Sequence, residues 1–265
     1  MLKKIFLFFG AFTIIFSGFG LVSPVSASTT ALADLEAGSL IRGQSLSAVY
    51  YYAKDGFRYV FPNDKTYFTW YQNFDTVKWL SDADLGKIQI GGNVTYRPGI
   101  KMIKINSDPK TYAVGENGSL HWVSTEAAAI SLYGSNWNTK IDDVPDGFFS
   151  NYTMSSDIEN SSDFVPADET ATATSIDSDK GLLSPVIVVI TDSGYSDATI
   201  NTETDRAVKF TNNGSSKHSA TAEDLSWGTG TLNPGDSFTR YFRTADTYDF
   251  FCSYHASETG TITVE

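Results

Sequence analysis

One cysteine and three methionines occur in the 265 residues of this chain, along with three histidines. A single cysteine excludes an internal disulfide framework. Three histidines are too few for a multi-zinc protein or a multicopper oxidase. Basic residues are also scarce, 19 Lys and Arg against 31 Asp and Glu, a formal charge of −12. No Lys/Arg-rich run occurs, so nucleic acid would find no basic footprint here. What is plentiful is apolar and aromatic side chain, 41% and 14% of the chain, with 19% charged. That balance supports a packed core and excludes wholesale disorder. The length allows one large or two small domains.

Lys3-Lys4, the apolar stretch Ile5 to Phe16 and the small residues ending Val25-Ser26-Ala27 have the order of a secretory signal peptide. Cleavage is expected after Ala27, and residues 1–27 are assigned to the leader. The alternative is an uncleaved membrane anchor, since Ile5 to Val22 is about long enough to span a bilayer. Either way the protein is expected to be exported and to work outside the cell, at its surface or in a periplasm. A lone thiol kept in such an oxidising place needs a reason.

Residues 155–180 are rich in Ser, Thr, Asp and Ala without sustained apolar periodicity. Such a stretch buries too little to offset the entropy of ordering, so a flexible linker is expected. It separates an N-terminal aromatic-rich domain, 28–154, from a C-terminal domain, 181–265. The first carries a weak internal duplication. Tyr52 to Val60 resembles Tyr112 to Val123, each an apolar run broken by Asp55-Gly56 or Asn117-Gly118, a strong hairpin signal. A segment with helical potential follows each, Phe68 to Leu80 and Thr125 to Tyr133. The reading is an α+β or β-rich domain of two hairpin-plus-helix repeats of about 60 residues.

Twelve aromatics fall between Tyr50 and Trp79. They either build strand faces and a core or form a stacking surface for a cell-surface glycan, the first being the commoner use. Asp142, Asp143 and Asp146, with Pro145 and Gly147, read as a turn before they read as a calcium site. His121 alternates with Leu120 and Trp122 in a strand pattern and is expected to face solvent.

The C-terminal domain shows strand-like runs at Val186 to Thr191, Ala207 to Asn212, Ser237 to Phe242, Thr247 to Cys252 and Thr259 to Val264. Turn formers separate them, which indicates a β-sandwich. The only cysteine and two of the three histidines fall here. Cys252-Ser253-Tyr254-His255 ends one strand, and His218 follows an earlier one. Alternation sets Cys252 on the same face as Tyr248 and Phe250. One thiolate and two imidazoles gathered at one end of a sandwich suit copper, and coordination would protect the thiol.

These residues resemble the cupredoxins, specifically plastocyanin-like single domains of secreted bacterial proteins. The resemblance covers Val186 to Glu265 and rests on Val208 to Asn213, Lys217-His218-Ser219, Gly230 to Phe238, Thr247-Tyr248 and Cys252 to Gly260. It implies a Greek-key β-sandwich in a mainly β protein. It also implies a type 1 copper centre with His218, Cys252 and His255 as equatorial ligands. Family members usually carry methionine at the axial position, where Glu258 stands here. Three arrangements are open: Glu258 ligates copper through oxygen; it turns to solvent and leaves three ligands or a carbonyl or water cap; or the site binds no metal. Ser219 is placed to hydrogen-bond toward the thiolate loop, with Trp227 and Tyr254 flanking the metal end.

The leading expectation is an exported one-electron carrier with one copper ion, its redox partner unspecified. A different class competes with it: a cell-surface or matrix-binding protein whose sandwich is a scaffold or a copper-sequestration module. Catalysis is not expected, because a Ser/His/Asp set would consume His218 or His255 and leave only His121. Membrane contact is expected only through an uncleaved leader.

Overall fold

The computed structural model describes residues 28–265; the expected leader lies outside them. The first unit comprises β1 (Leu40–Arg42), β2 (Tyr50–Tyr52), β3 (Arg58–Val60), α1 (Asp64–Trp70), β4 (Lys78–Trp79), α2 (Asp82–Lys87) and β5 (Ile90–Asn93). Strands β1, β2 and β3 form an antiparallel meander. On its flanks, β4 runs parallel to β1 and β5 parallel to β3, giving the order β4-β1-β2-β3-β5.

The second unit repeats this plan with β6 (Met102–Ile105), β7 (Asp108–Val114), β8 (Ser119–Trp122), α3 (Glu126–Tyr133), β9 (Ile141–Asp143), α4 (Asp146–Phe149) and β10 (Thr153–Met154). Its order is β10-β8-β7-β6-β9, with β9 parallel to β6 and β10 parallel to β8. Leu40 and Met102 open the first strands, Tyr52 and Val114 close the second, and Asp64 and Glu126 open the first helices, a constant spacing of 62 residues. The duplication is therefore a whole five-stranded sheet with two helices, larger than a hairpin and a helix. Its register sets Tyr112 opposite Tyr50, two residues from the alignment suggested by the sequence.

Local chemistry explains the matching turns. Gly56 and Gly118 both take positive φ, +88° and +69°, as the Asp-Gly and Asn-Gly pairs suggest. Helix starts match as well: the Asn63 side chain accepts from Thr66 N–H, and the Thr125 side chain from Ala128 N–H. The first helix thus begins at Asp64, before the expected segment Phe68 to Leu80, and ends at Trp70 within it; the later part of the segment turns at Asn73 and enters β4. Most of the aromatics between Tyr50 and Trp79 are structural, with Tyr51, Phe57, Tyr59, Phe61 and Tyr67 buried in one cluster.

Residues 155–180 differ from the linker expectation. They carry α5 (Pro166–Thr172) and α6 (Ile176–Asp179), and Ile158, Phe164, Ala173 and Ile176 are buried. Few apolar residues suffice because carboxylates do the rest. Asp177 accepts from Lys54 N–H and Tyr51 O–H, while Glu169 accepts from Glu116 N–H and Asp179 from Asn117 N–H. Lys54 and Glu116 are equivalent positions in the two hairpin turns, so the segment straps the same turn in both units.

The C-terminal unit is a sandwich of two four-stranded sheets. One contains β11 (Val186–Thr191), β12 (Gly194–Tyr195), β14 (Ala207–Asn212) and β16 (Ser237–Tyr241), in the order β12-β11-β14-β16. The other contains β13 (Thr199–Thr202), β15 (Thr221–Ala222), β17 (Asp246–Phe251) and β18 (Thr259–Val264), in the order β13-β18-β17-β15. Alternate residues Val188, Ile190, Val208, Phe210, Phe250, Ile262 and Val264 fill the space between them. Trp227 belongs to this core, stacked among Phe210, Phe242 and Phe250.

The sandwich docks on the first unit. Buried Asp55, from the β2–β3 turn, accepts from the hydroxyls of Tyr59 and Tyr241, each at 2.7 Å, and from Phe57 N–H. Tyr241 also stacks on Phe57, and Gln89 accepts from Thr239 N–H. Burial and the Asp55 carboxylate push the Tyr59 and Tyr241 hydroxyls well above the usual phenol range.

Candidate metal centre

Four donor side chains meet at one end of the sandwich. Cys252 follows the last residue of β17, continuing the alternation that buries Phe250, and both side chains are fully buried. Its chain then turns tightly: His255 N–H donates to Cys252 O, Glu258 N–H to His255 O, and Cys252 N–H to Glu258 O. This closed loop brings residues 252, 255 and 258 to one side. His218 arrives from the loop after β14 and is held by paired backbone bonds with Leu232.

The distances form one cluster. Cys252 Sγ lies 3.8 Å from His218 Nδ1 and 3.7 Å from His255 Nδ1. Glu258 approaches both rings, Oε2 at 3.0 Å from His218 Nδ1 and Oε1 at 3.4 Å from His255 Nδ1. All four donor atoms fall within 4.8 Å of one another. Among the described residues this is the one group of three or more such side chains able to hold a metal ion.

The donor set fits a metal. Bonds of about 2.0 Å to nitrogen and about 2.3 Å to sulfur, at trigonal angles, would separate N and S by about 3.7 Å. The observed spacings match that figure. One sulfur, two imidazole nitrogens and a carboxylate oxygen are also the softness mixture that favours copper or zinc over magnesium or calcium. Exposure is graded across the set, from none at His218 to 10% at Glu258 and 40% at His255.

Supporting groups hold the donors. Ser219 Oγ accepts from Ser253 N–H at 2.8 Å, tying the His218 strand to the thiol loop as expected. Ser253 and Thr221 hydroxyls add a second tie at 3.0 Å. Tyr195 O–H donates to Ser219 O, and burial raises its pKa far above the phenol norm, with Cys252 and Glu258 adding to the effect. The Asn212 amide donates to Ser216 O and Leu232 O, bracing the loop that carries His218. Gly194, with φ of +107°, passes so close to Glu258 that an added Cβ would sit 3.4 Å from Cγ.

Asp192, Gly194 and Tyr195 carried no local signal in the sequence, because the fold alone brings them to the donors. Asp192 accepts from Ser215 N–H, Ser215 O–H and Ser216 N–H, which hold its carboxyl well below the usual range. Its Oδ1 lies 3.6 Å from His218 Nε2, the ring nitrogen that has no hydrogen-bond partner. Tyr254 is exposed and bonded to Thr231, away from the core position of Trp227.

The other sequence candidates lie elsewhere. His121 is half-buried rather than facing solvent, with Nδ1 at 2.9 Å from Ser156 O and its ring against Phe164. Asp142 lies in β9, paired with Lys101 and near the Tyr96 hydroxyl. No helix among the described residues is long and apolar enough to cross a membrane.

No family model matches the chain, and no curated protein matches it. Solved structures do resemble part of the chain. A Cu(I) structure of an amicyanin mutant is 21% identical, covering 31% of this chain and 82% of that one with a TM-score of 0.29. A purple cupredoxin from Nitrosopumilus maritimus is 23% identical, covering 30% of this chain and 99% of that one with a TM-score of 0.29. The metal assignment rests on the donor geometry.

Proposed function

We propose that this is an exported copper-binding protein that relays single electrons through His218, Cys252, His255 and Glu258. The observation carrying the reading is the convergence of these four donors within 4.8 Å. Bound copper would supply a one-electron Cu(II)/Cu(I) couple. The chain's part is to keep the thiol buried, to fix His218 through Leu232 and Ser219, and to offer His255 as the open edge. A braced donor set moves little between oxidation states, which lowers the reorganisation that slows electron transfer.

Glu258 is proposed as the fourth ligand, since its carboxylate already faces both imidazoles. A hard oxygen donor favours Cu(II) and lowers the potential relative to methionine. We read the protein as a carrier rather than a catalyst, and its redox partner is left open. Export rests on the leader expected in residues 1–27.

Adding Cu(II) to purified protein tests the proposal by visible and paramagnetic spectra. A thiolate-to-copper band that disappears in Cys252→Ser is expected. A colourless protein without bound copper would overturn the reading, and copper bound without reversible redox cycling would move it to sequestration.

A further inference from the structure

The two N-terminal units each open a groove at the same place. The second-unit groove, about 320 Å³, lies between the open end of the β7–β8 hairpin and the start of α3. The first-unit groove, about 450 Å³, lies between the open end of the β2–β3 hairpin and the start of α1, and Phe148 of the second unit also lines it. Their linings correspond at the 62-residue spacing: Val49 with Thr111, Val60 with Trp122, Asn63 with Thr125, and Asp64 with Glu126. Each groove also has an aromatic on the chain leaving the helix, Phe74 in one and Trp137 in the other. Core packing does not require an open groove, yet both units keep one.

We infer that these grooves are paired binding sites for an uncharged polysaccharide. Three features select that class. Each groove is lined by an aromatic ring, a carboxylate-bearing residue and the residue that caps the helix, the combination that takes the C–H face of a sugar ring and its hydroxyls. Asp64 lines the first groove with no basic residue, and Glu126 balances Lys110 in the second, so on a chain of formal charge −12 neither groove favours a polyanion. Two equivalent sites on one chain suit a ligand that presents the same unit repeatedly, and joint engagement multiplies weak affinities. A groove of 320–450 Å³ falls in the usual range for small-ligand sites. This inference is independent of copper.

The test is co-sedimentation of the full chain, with and without copper, on insoluble chitin and cellulose, with heparin beads and immobilised denatured casein alongside. Trp122 and Trp137 line only the second groove, so soluble chito- and cello-oligosaccharides should shift tryptophan emission when that groove is intact. Retention on at least one neutral polymer is expected. It should fall about tenfold or more with Glu126→Gln plus Trp137→Ala, and likewise with Asp64→Asn plus Phe74→Ala, and vanish when the pairs are combined. Phe74 stacks on Tyr67 at 4.4 Å, so the carboxylate variants alone serve as the milder set if the aromatic ones fail to fold. No retention on either neutral polymer, retention unchanged by the combined variants, or preference for heparin or casein would each overturn the inference.

Discussion

Glu258 Oε2 and His218 Nδ1 lie 3.0 Å apart, although 40 residues separate them in the chain. The carboxylate therefore stands within the donor cluster and is not turned out to solvent. Replacing Glu258 by Met should raise the reduction potential of the copper-loaded protein, because a soft thioether favours Cu(I) where a carboxylate favours Cu(II). Glu258→Gln should weaken Cu(II) binding by about tenfold or more while sparing Cu(I). Voltammetry and competition titrations read both effects; an unchanged potential in the Met variant would remove Glu258 from the ligand set.

Ser219 offers a test of the brace. Its hydroxyl takes up Ser253 N–H, so Ser219→Ala removes a part-buried hydrogen bond, at about 0.5–1.5 kcal/mol of stability. Copper affinity should fall by about 10–100-fold as the thiol loop loosens. Denaturant unfolding and a copper competition assay measure the two independently.

The docking of the sandwich is expected to depend on Asp55. Asp55→Ala strands two tyrosine hydroxyls and one backbone N–H, a loss of about 3–5 kcal/mol in unfolding experiments. Tyr241→Phe removes one bond to the same carboxylate and should cost about 1.5–3 kcal/mol. Neither change touches the donors, so the visible spectrum of copper-loaded protein should stay the same.

Asp179 makes stability depend on pH. Its carboxyl is 2% exposed, and burial raises its pKa from 3.8 to about 6 despite the bond from Asn117 N–H. The folded chain thus holds this proton more tightly than the unfolded chain does. Its contribution is fully present below pH 3.8 and is lost as pH rises through about 6, by up to about 3 kcal/mol. Asp179→Asn should therefore stabilise the protein at pH 8 and have little effect near pH 4. Thermal melts of both proteins across that range supply the check.

The sandwich was legible because its strands alternate cleanly; β11, β14 and β18 begin and end where the apolar pattern says. The donors were legible because cysteine and histidine are rare here. The two-residue strands β4, β10, β12 and β15 are too short to leave a periodic trace. The strap eluded the pattern for another reason. Ile158, Phe164 and Ile176 are widely spaced anchors, and the remaining contacts are carboxylates accepting backbone N–H groups. Nothing in the composition separates that arrangement from a solvated linker. Asp192 is similar, since its place beside His218 depends on a turn 26 residues earlier in the chain.

The first unit lies along β16 from Tyr241, which meets Asp55, through Thr239, which meets Gln89, to Asp236, which pairs with Lys87 beside the Asn212 that braces the donor loops. The sandwich is therefore held along one edge strand, which leaves the donor cluster at its end uncovered at His255. Under the proposed function, a molecule trading an electron or a copper ion would meet the cluster at His255, the most exposed of the four donors, without loosening that edge.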